Sequence, residues 1–330
     1  VGQFAGNWNL ILSGRYGGWR NRRDTAGAYD VKARRGAFIY YLLGLSRLPV
    51  SGRFDHLVNR AHELGEYRGE TLLGCAAATL HMSRGKWPEA ETLLSSCHTA
   101  IARTDDRQML GVVQCLLALC DLYQGRAEGS YTWFERVAEI GRAQDHHLFK
   151  VWGAYGKAEA QLYAGNISGA HQDALDAKRT SVGLGDLQSV CIIEGVLAQT
   201  ALTQGNFDAA RKHARNAMRF AAKLPPTNFS TLEGIAAAPQ VGCELKALGM
   251  TEPDFVSIIR TGRKALKSYA QVFPIARPQQ QYVEGLLARM QGDEKRARKR
   301  IETARVTASG LGMNYEQALA TRALEINTER

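Results

Sequence analysis

The stretch TQGNFDAARKHA, residues 203–214, has a near-copy at 163–174, YAGNISGAHQDA, and another at 123–134, YQGRAEGSYTWF. Each holds a glycine at the same place, and Gly85, Gly125, Gly165 and Gly205 follow one another at intervals of forty residues. Gly14 and Gly52 precede this series, and Gly249 and Gly292 follow it at slightly longer steps. An apolar segment runs up to each glycine, as in NLILSG, DLYQG and LARMQG. Two residues past the glycine stands a large apolar side chain in five of the eight turns (Tyr16, Phe54, Trp87, Ile167, Phe207), and five past it a small one in five (Ala90, Ser130, Ala170, Ala210, Ala297).

This grammar fits a helical hairpin. Glycine ends a helix in the left-handed conformation at no steric cost. The bulky residue plugs the corner, and the small one lets two helix backbones approach. In FDAARKHARNAMRFAAKL the apolar set Phe207, Ala210, Ala214, Ala217, Met218 and Ala221 falls on one helical face, opposite Arg211, Lys212, Arg215 and Arg219. A second punctuation follows each such helix, for example EIGRAQDHH and ASGLGMNY, where the chain reverses again. No sustained period-two alternation occurs, so strands are not expected. One hairpin cannot bury both its faces, whereas stacked hairpins can. The expected fold is all-α, a right-handed α-solenoid of stacked helical hairpins. It forms one array over residues 1–330, regular over about 67–224, with a joint near 223–231 at KLPPTNFST and irregular repeats over 232–330.

The pattern resembles the tetratricopeptide repeat superfamily, with a unit of forty residues in place of the usual 34. The longer unit is similar to tetratricopeptide-like arrays of large bacterial signalling proteins. These include the C-terminal regions of ATP-binding transcription activators and of class III adenylate or guanylate cyclases that carry a P-loop ATPase domain. PPTNFSTLEGIAAAPQVGCEL (225–245) resembles a loop and helix of such proteins, and ARVTASGLGMNYEQALATRALEI (304–326) their closing repeat. The resemblance implies a non-catalytic sensor or scaffold arm of a larger signal-transduction protein, whose concave face binds a protein, a peptide or a small effector, other domains of the same polypeptide included. It also directs attention to polar residues on the first helix of each hairpin: Gln114, Lys157, Gln161, Glu194 and Gln199. Glu159 and Asp121 fit a solvated position as well as an inward one.

Composition agrees with a packed interior: 45% of the 330 residues are hydrophobic. The longest apolar run, GAFIYYLLGL at 36–45, suits a buried helix and is too short to span a membrane. The start carries no basic-then-apolar secretion signal. The six cysteines form no C-x-x-C pair and read as small core residues in a reducing cytoplasm. The chain opens at Val1 directly in helix-like sequence, which leads us to expect a piece of a longer polypeptide.

Catalytic signatures do not assemble. GKW at 85–87 and GKA at 156–158 lack the upstream glycine and the hydroxyl of a phosphate loop. His146 and His147 are adjacent and belong to no H-E-x-x-H pattern, so they read as polar turn residues. Cys97 and His98 diverge by about 100° on a helix, which makes a poor nucleophile–base pair. No cofactor is implied, and any ATPase or cyclase activity would belong to other parts of the polypeptide. The formal charge of +10 is concentrated in two places. One is the segment from Arg15 to Arg53, with Arg15, Trp19, Arg20, Arg22, Arg23, Arg34 and Arg35. The other runs from Arg289 to Arg305, with Arg296, Arg298, Lys299 and Arg300. These patches fit an acidic protein partner, nucleic acid or a plain solvated face.

Overall fold

The computed structural model describes residues 58–325, apart from 225, 227 and 251–253. The turns at Gly14 and Gly52 and the first basic segment therefore lie outside the described residues. Helical turns over 58–63 lead into thirteen α-helices, and no strand occurs among the described residues.

The helices form hairpins. They are α1 (Tyr67–Met82) with α2 (Trp87–Ile101), α3 (Arg107–Tyr123) with α4 (Ala127–Ala143), and α5 (His147–Tyr163) with α6 (Ile167–Thr180). Next come α7 (Leu187–Thr203) with α8 (Phe207–Ala221), α9 (Leu232–Ala247) with α10 (Asp254–Val272), and α11 (Arg277–Met290) with α12 (Glu294–Gly310); α13 (Asn314–Glu325) follows. The first helices of successive hairpins pack on one another, from α1 on α3 through to α9 on α11, and make an inner layer. The second helices form the outer layer. Short 3₁₀ turns, Phe229–Thr231 and Pro274–Ala276, lead into α9 and α11.

The turn chemistry follows from the sequence. Gly85, Gly125, Gly165, Gly205, Gly249 and Gly292 all have φ between +74° and +87°, the region where a Cβ would be strained. The next residue caps the following helix in several hairpins: Asn166 accepts from the Gly169 amide, Asn206 from Ala209 and Asp293 from Arg296. Ala90, Ser130, Ala170, Ala210 and Ala297 are all 0% exposed, as close helix approach requires.

The outer helix α8 buries the narrow stripe Ala210, Ala214, Ala217, Met218 and Ala221. Inner helices are buried on most of their circumference, because they touch the previous hairpin, the next one and their own partner. The tightest inner approach joins α7 to α9, where a Cβ added to Gly195 would lie 2.8 Å from the Gly234 Cα.

The corner plugs differ from expectation. Trp87 is 4% exposed, but Phe207 is 36% exposed. The reason is a seam. The turn between α12 and α13 packs back on the first hairpins, so the indole Nε1 of Trp87 donates to the Leu311 carbonyl at 2.5 Å. No such cover lies over the Gly205 turn. The seam continues with the Asn314 Nδ2 donating to the Gln124 carbonyl (2.8 Å) and the Tyr163 hydroxyl donating to Glu316 (3.2 Å). The array thus closes on itself.

A candidate ligand cleft on the inner face

A narrow cleft lies on the inner layer between α3, α5, α7 and the connection before α9. Val112, Cys115, Leu116 and Leu119 line it from α3, at the i, i+3, i+4, i+7 spacing of one helical face. Trp152 and Tyr155 come from α5, Ile192 from α7 and Phe229 from the connection before α9. The empty space is about 550 Å³, open mouth included. Polar groups cluster at one end. Asp186 caps α7 and accepts from the Ser189 hydroxyl at 2.6 Å, while the Asn228 amide donates to Gln188 Oε1 at 3.0 Å. An apolar wall with a few fixed polar groups is the usual chemistry of a ligand pocket.

The Cys115 thiol is pushed up to about 12 by burial and by the Glu159 carboxyl, which removes it as a nucleophile near neutral pH. His146, the N-cap of α5, accepts from the Phe149 amide and is held below the usual range by burial. Among the described residues no group of three metal-ligating side chains comes together, and no helix is long and apolar enough to cross a membrane.

The Tyr123 hydroxyl donates to the Phe229 carbonyl at 3.2 Å beside the cleft. One turn further along α3 and α5 lies an acidic group: Glu159 of α5 and Glu316 of α13, both buried, and the half-buried Glu233 of α9. Burial drives all three carboxyls upward, Glu316 to about 8, and Glu233 raises the other two further. The Gln279 Nε2 donates to Glu233 (2.8 Å) and Glu316 (3.2 Å), yet neither oxygen of Glu159 has a partner among the described residues. The solvated alternative for Glu159 is thereby corrected: it is 1% exposed. Asp121 instead pairs with Arg126 at 2.6 Å on the outer side of α3.

The five polar candidates do not converge. Lys157 pairs with Glu135 of α4 at 2.6 Å and sits 5.6 Å from the Tyr131 ring, and Gln161 donates to Asp173 of α6 at 2.5 Å. Glu194 accepts from Lys178 of α6 and His213 of α8, both at 2.7 Å. Burial raises the Glu194 carboxyl, but these donors outweigh it and hold it below the usual range. The contacts of these three therefore tie the two layers together. Among the described residues Gln199 accepts from no outer helix and donates to Gln240 of α9 at 3.3 Å, and Gln114 is buried with an unpartnered Oε1. Arg296, Arg298, Lys299 and Arg300 are exposed on α12.

No protein-family model matches the chain, and no curated protein matches it. Among solved structures the chain is similar to a Rap protein complexed with competence and sporulation factor. The TM-score is 0.62 at 10% identity, over 99% of this chain and 93% of that one. The chain is a tetratricopeptide-like α-solenoid. The sequence pointed to its repeats, but the cleft-lining Trp152, Tyr155 and Asn228 carried no motif. Trp152 and Tyr155 had only the one-face spacing on α5 as a signal, and Asn228, in the connection before α9, had none.

Proposed function

We propose that the chain is a non-catalytic binding module whose inner cleft takes a short peptide or a protruding segment of a protein partner. The observation that carries this reading is the cleft itself, an apolar wall ending in fixed polar groups within a closed array. The similar Rap fold, seen in complex with a factor, supports it. Gln114 and Gln199, which make no side-chain bond to an outer helix among the described residues, lie outside the cleft lining and are proposed as contacts of an occupant that extends along the inner layer. Lys157, Gln161 and Glu194 then act on binding through the positions of α5 and α7. The Tyr123–Phe229 contact lies between cleft and seam, so an occupant that displaces Phe229 alters closure. That shift is the signal a regulatory arm of a larger bacterial signal-transduction protein would transmit. Six buried free thiols suit such a protein in the cytoplasm.

The test is panning of a random peptide library on the full chain, followed by affinity measurement on variants. Ser230→Trp, which fills the cleft mouth, is expected to weaken selected peptides by about tenfold or more, equal to about 1.4 kcal/mol. Val182→Asp, on a residue 80% exposed, is expected to leave them unchanged. Equal affinity in the folded Ser230→Trp variant overturns the cleft as the site.

A further inference from the structure

A second recess lies where the ends of α9 and α11 meet the beginnings of α10 and α12. It holds about 960 Å³ of empty space, its open side included. The floor is apolar, made by Ile259, Leu287 and Met290, and Val256 stands beside it 58% exposed. The rim is basic: Lys246, Arg260, Arg263 and Arg296. The recess holds one carboxylate, Glu284, and Arg263 grips it with both Nε (2.6 Å) and Nη2 (3.1 Å). The other three cations make no ion pair with a described side chain.

Val256 and Arg296 are each the third residue of their helices, so the recess lies by two helix N-termini, of which that of α12 is already capped by Asp293 accepting from the Arg296 amide. The basic character also continues outward, through exposed Lys264 and Lys267 on α10 and through Lys299 and Arg300 on α12.

We propose that this groove docks an acidic amphipathic helix of a protein partner, at a surface separate from the inner cleft. The partner's apolar side chains cover Val256, Ile259, Leu287 and Met290, and its carboxylates meet Lys246, Arg260 and Arg296. A nucleic-acid backbone fits less well. It has no apolar face to cover Val256, and it would bring phosphate against Glu284.

The test is fluorescence anisotropy on the full chain with three labelled probes. These are an amphipathic helical peptide of leucine and glutamate, its glutamine counterpart, and single-stranded oligo(dT). The glutamate peptide is expected to bind, more weakly as salt rises, and to bind much better than the glutamine peptide. Arg260→Glu with Arg296→Glu is expected to weaken it by about tenfold or more, as is Val256→Asp alone. Lys212→Glu on α8 serves as the control and leaves binding unchanged. Equal binding of both peptides, or an unchanged affinity in the double reversal with an unaltered thermal melt, overturns the proposal. Binding of oligo(dT) without the glutamate peptide overturns it in favour of nucleic acid. Ser230→Trp leaves this binding intact, so failure here and failure of the cleft are distinguishable.

Discussion

Tyr163 and Tyr315 stack face to face, ring centres 3.7 Å apart and planes 8° from parallel, although one ends α5 and the other begins α13. Contacts of this range tie the last helices to the first hairpins. Tyr315→Ala removes the stack and is expected to cost about 2 kcal/mol, less than a fully buried aromatic because Tyr315 is half-buried. Urea denaturation reads this as a lower midpoint. Hydrogen exchange should accelerate first in α13, and exchange that rises evenly over the whole chain would sink the seam as a separate unit.

The seam has a pH dependence of defined sign. Glu316 in the folded chain titrates at about 8, against an ordinary value of 4.5, and Glu159 and Glu233 are raised as well. Between those limits the folded state holds protons that the unfolded state has released, so stability falls as pH rises through the window. Thermal melts from pH 5 to pH 9 are expected to drop steadily. Glu316→Gln keeps the shape and removes one titration, so its profile should be flatter; a profile identical to that of the parent chain refutes the assignment.

Two glycines separate two physical roles. Gly205 has φ +74° and open space around it, so Gly205→Ala costs only backbone strain, about 1 kcal/mol. Gly195 faces the backbone of α9, so Gly195→Ala forces α7 and α9 apart and costs more, about 2–3 kcal/mol. Denaturation midpoints of the two variants give the order directly.

The thiols are expected to be inert. Cys115, Cys120, Cys191 and Cys243 are each pushed up to about 12, with burial the leading cause. A disulfide-exchange reagent at pH 8 should label the native chain slowly and all six cysteines in urea. Rapid labelling of the native chain would show that the inner layer opens readily.

Glu194 shows where sequence reading stops. Its place on α7 was legible from the repeat, but direction was not. One helical step decides whether a carboxylate points to the inner face or between α6 and α8, and here Lys178 and His213 claim it. Glu194→Ala is expected to lower stability by about 2–3 kcal/mol, because three donors, Lys178, His213 and Asn216, lose a buried acceptor. The hairpins themselves were legible because each is written locally: a left-handed glycine, a cap and a small residue. Closure was not, because Trp87 and Leu311, or Tyr163 and Glu316, find each other through the accumulated curvature of every unit between them. The cleft is lined from several hairpins and from the connection before α9, so its residues carry no local motif.

Closure also fixes the arithmetic of the array. An open stack can gain or lose a unit and merely change length. In this chain one inserted forty-residue unit would rotate α13 past Tyr163 and leave Trp87 without its carbonyl. The number of units between α1 and α13 is therefore constrained as tightly as any side chain in the core. Length variation is expected to fall inside turns that carry no cleft or seam contact, such as the one at Gly205, and not as whole repeats.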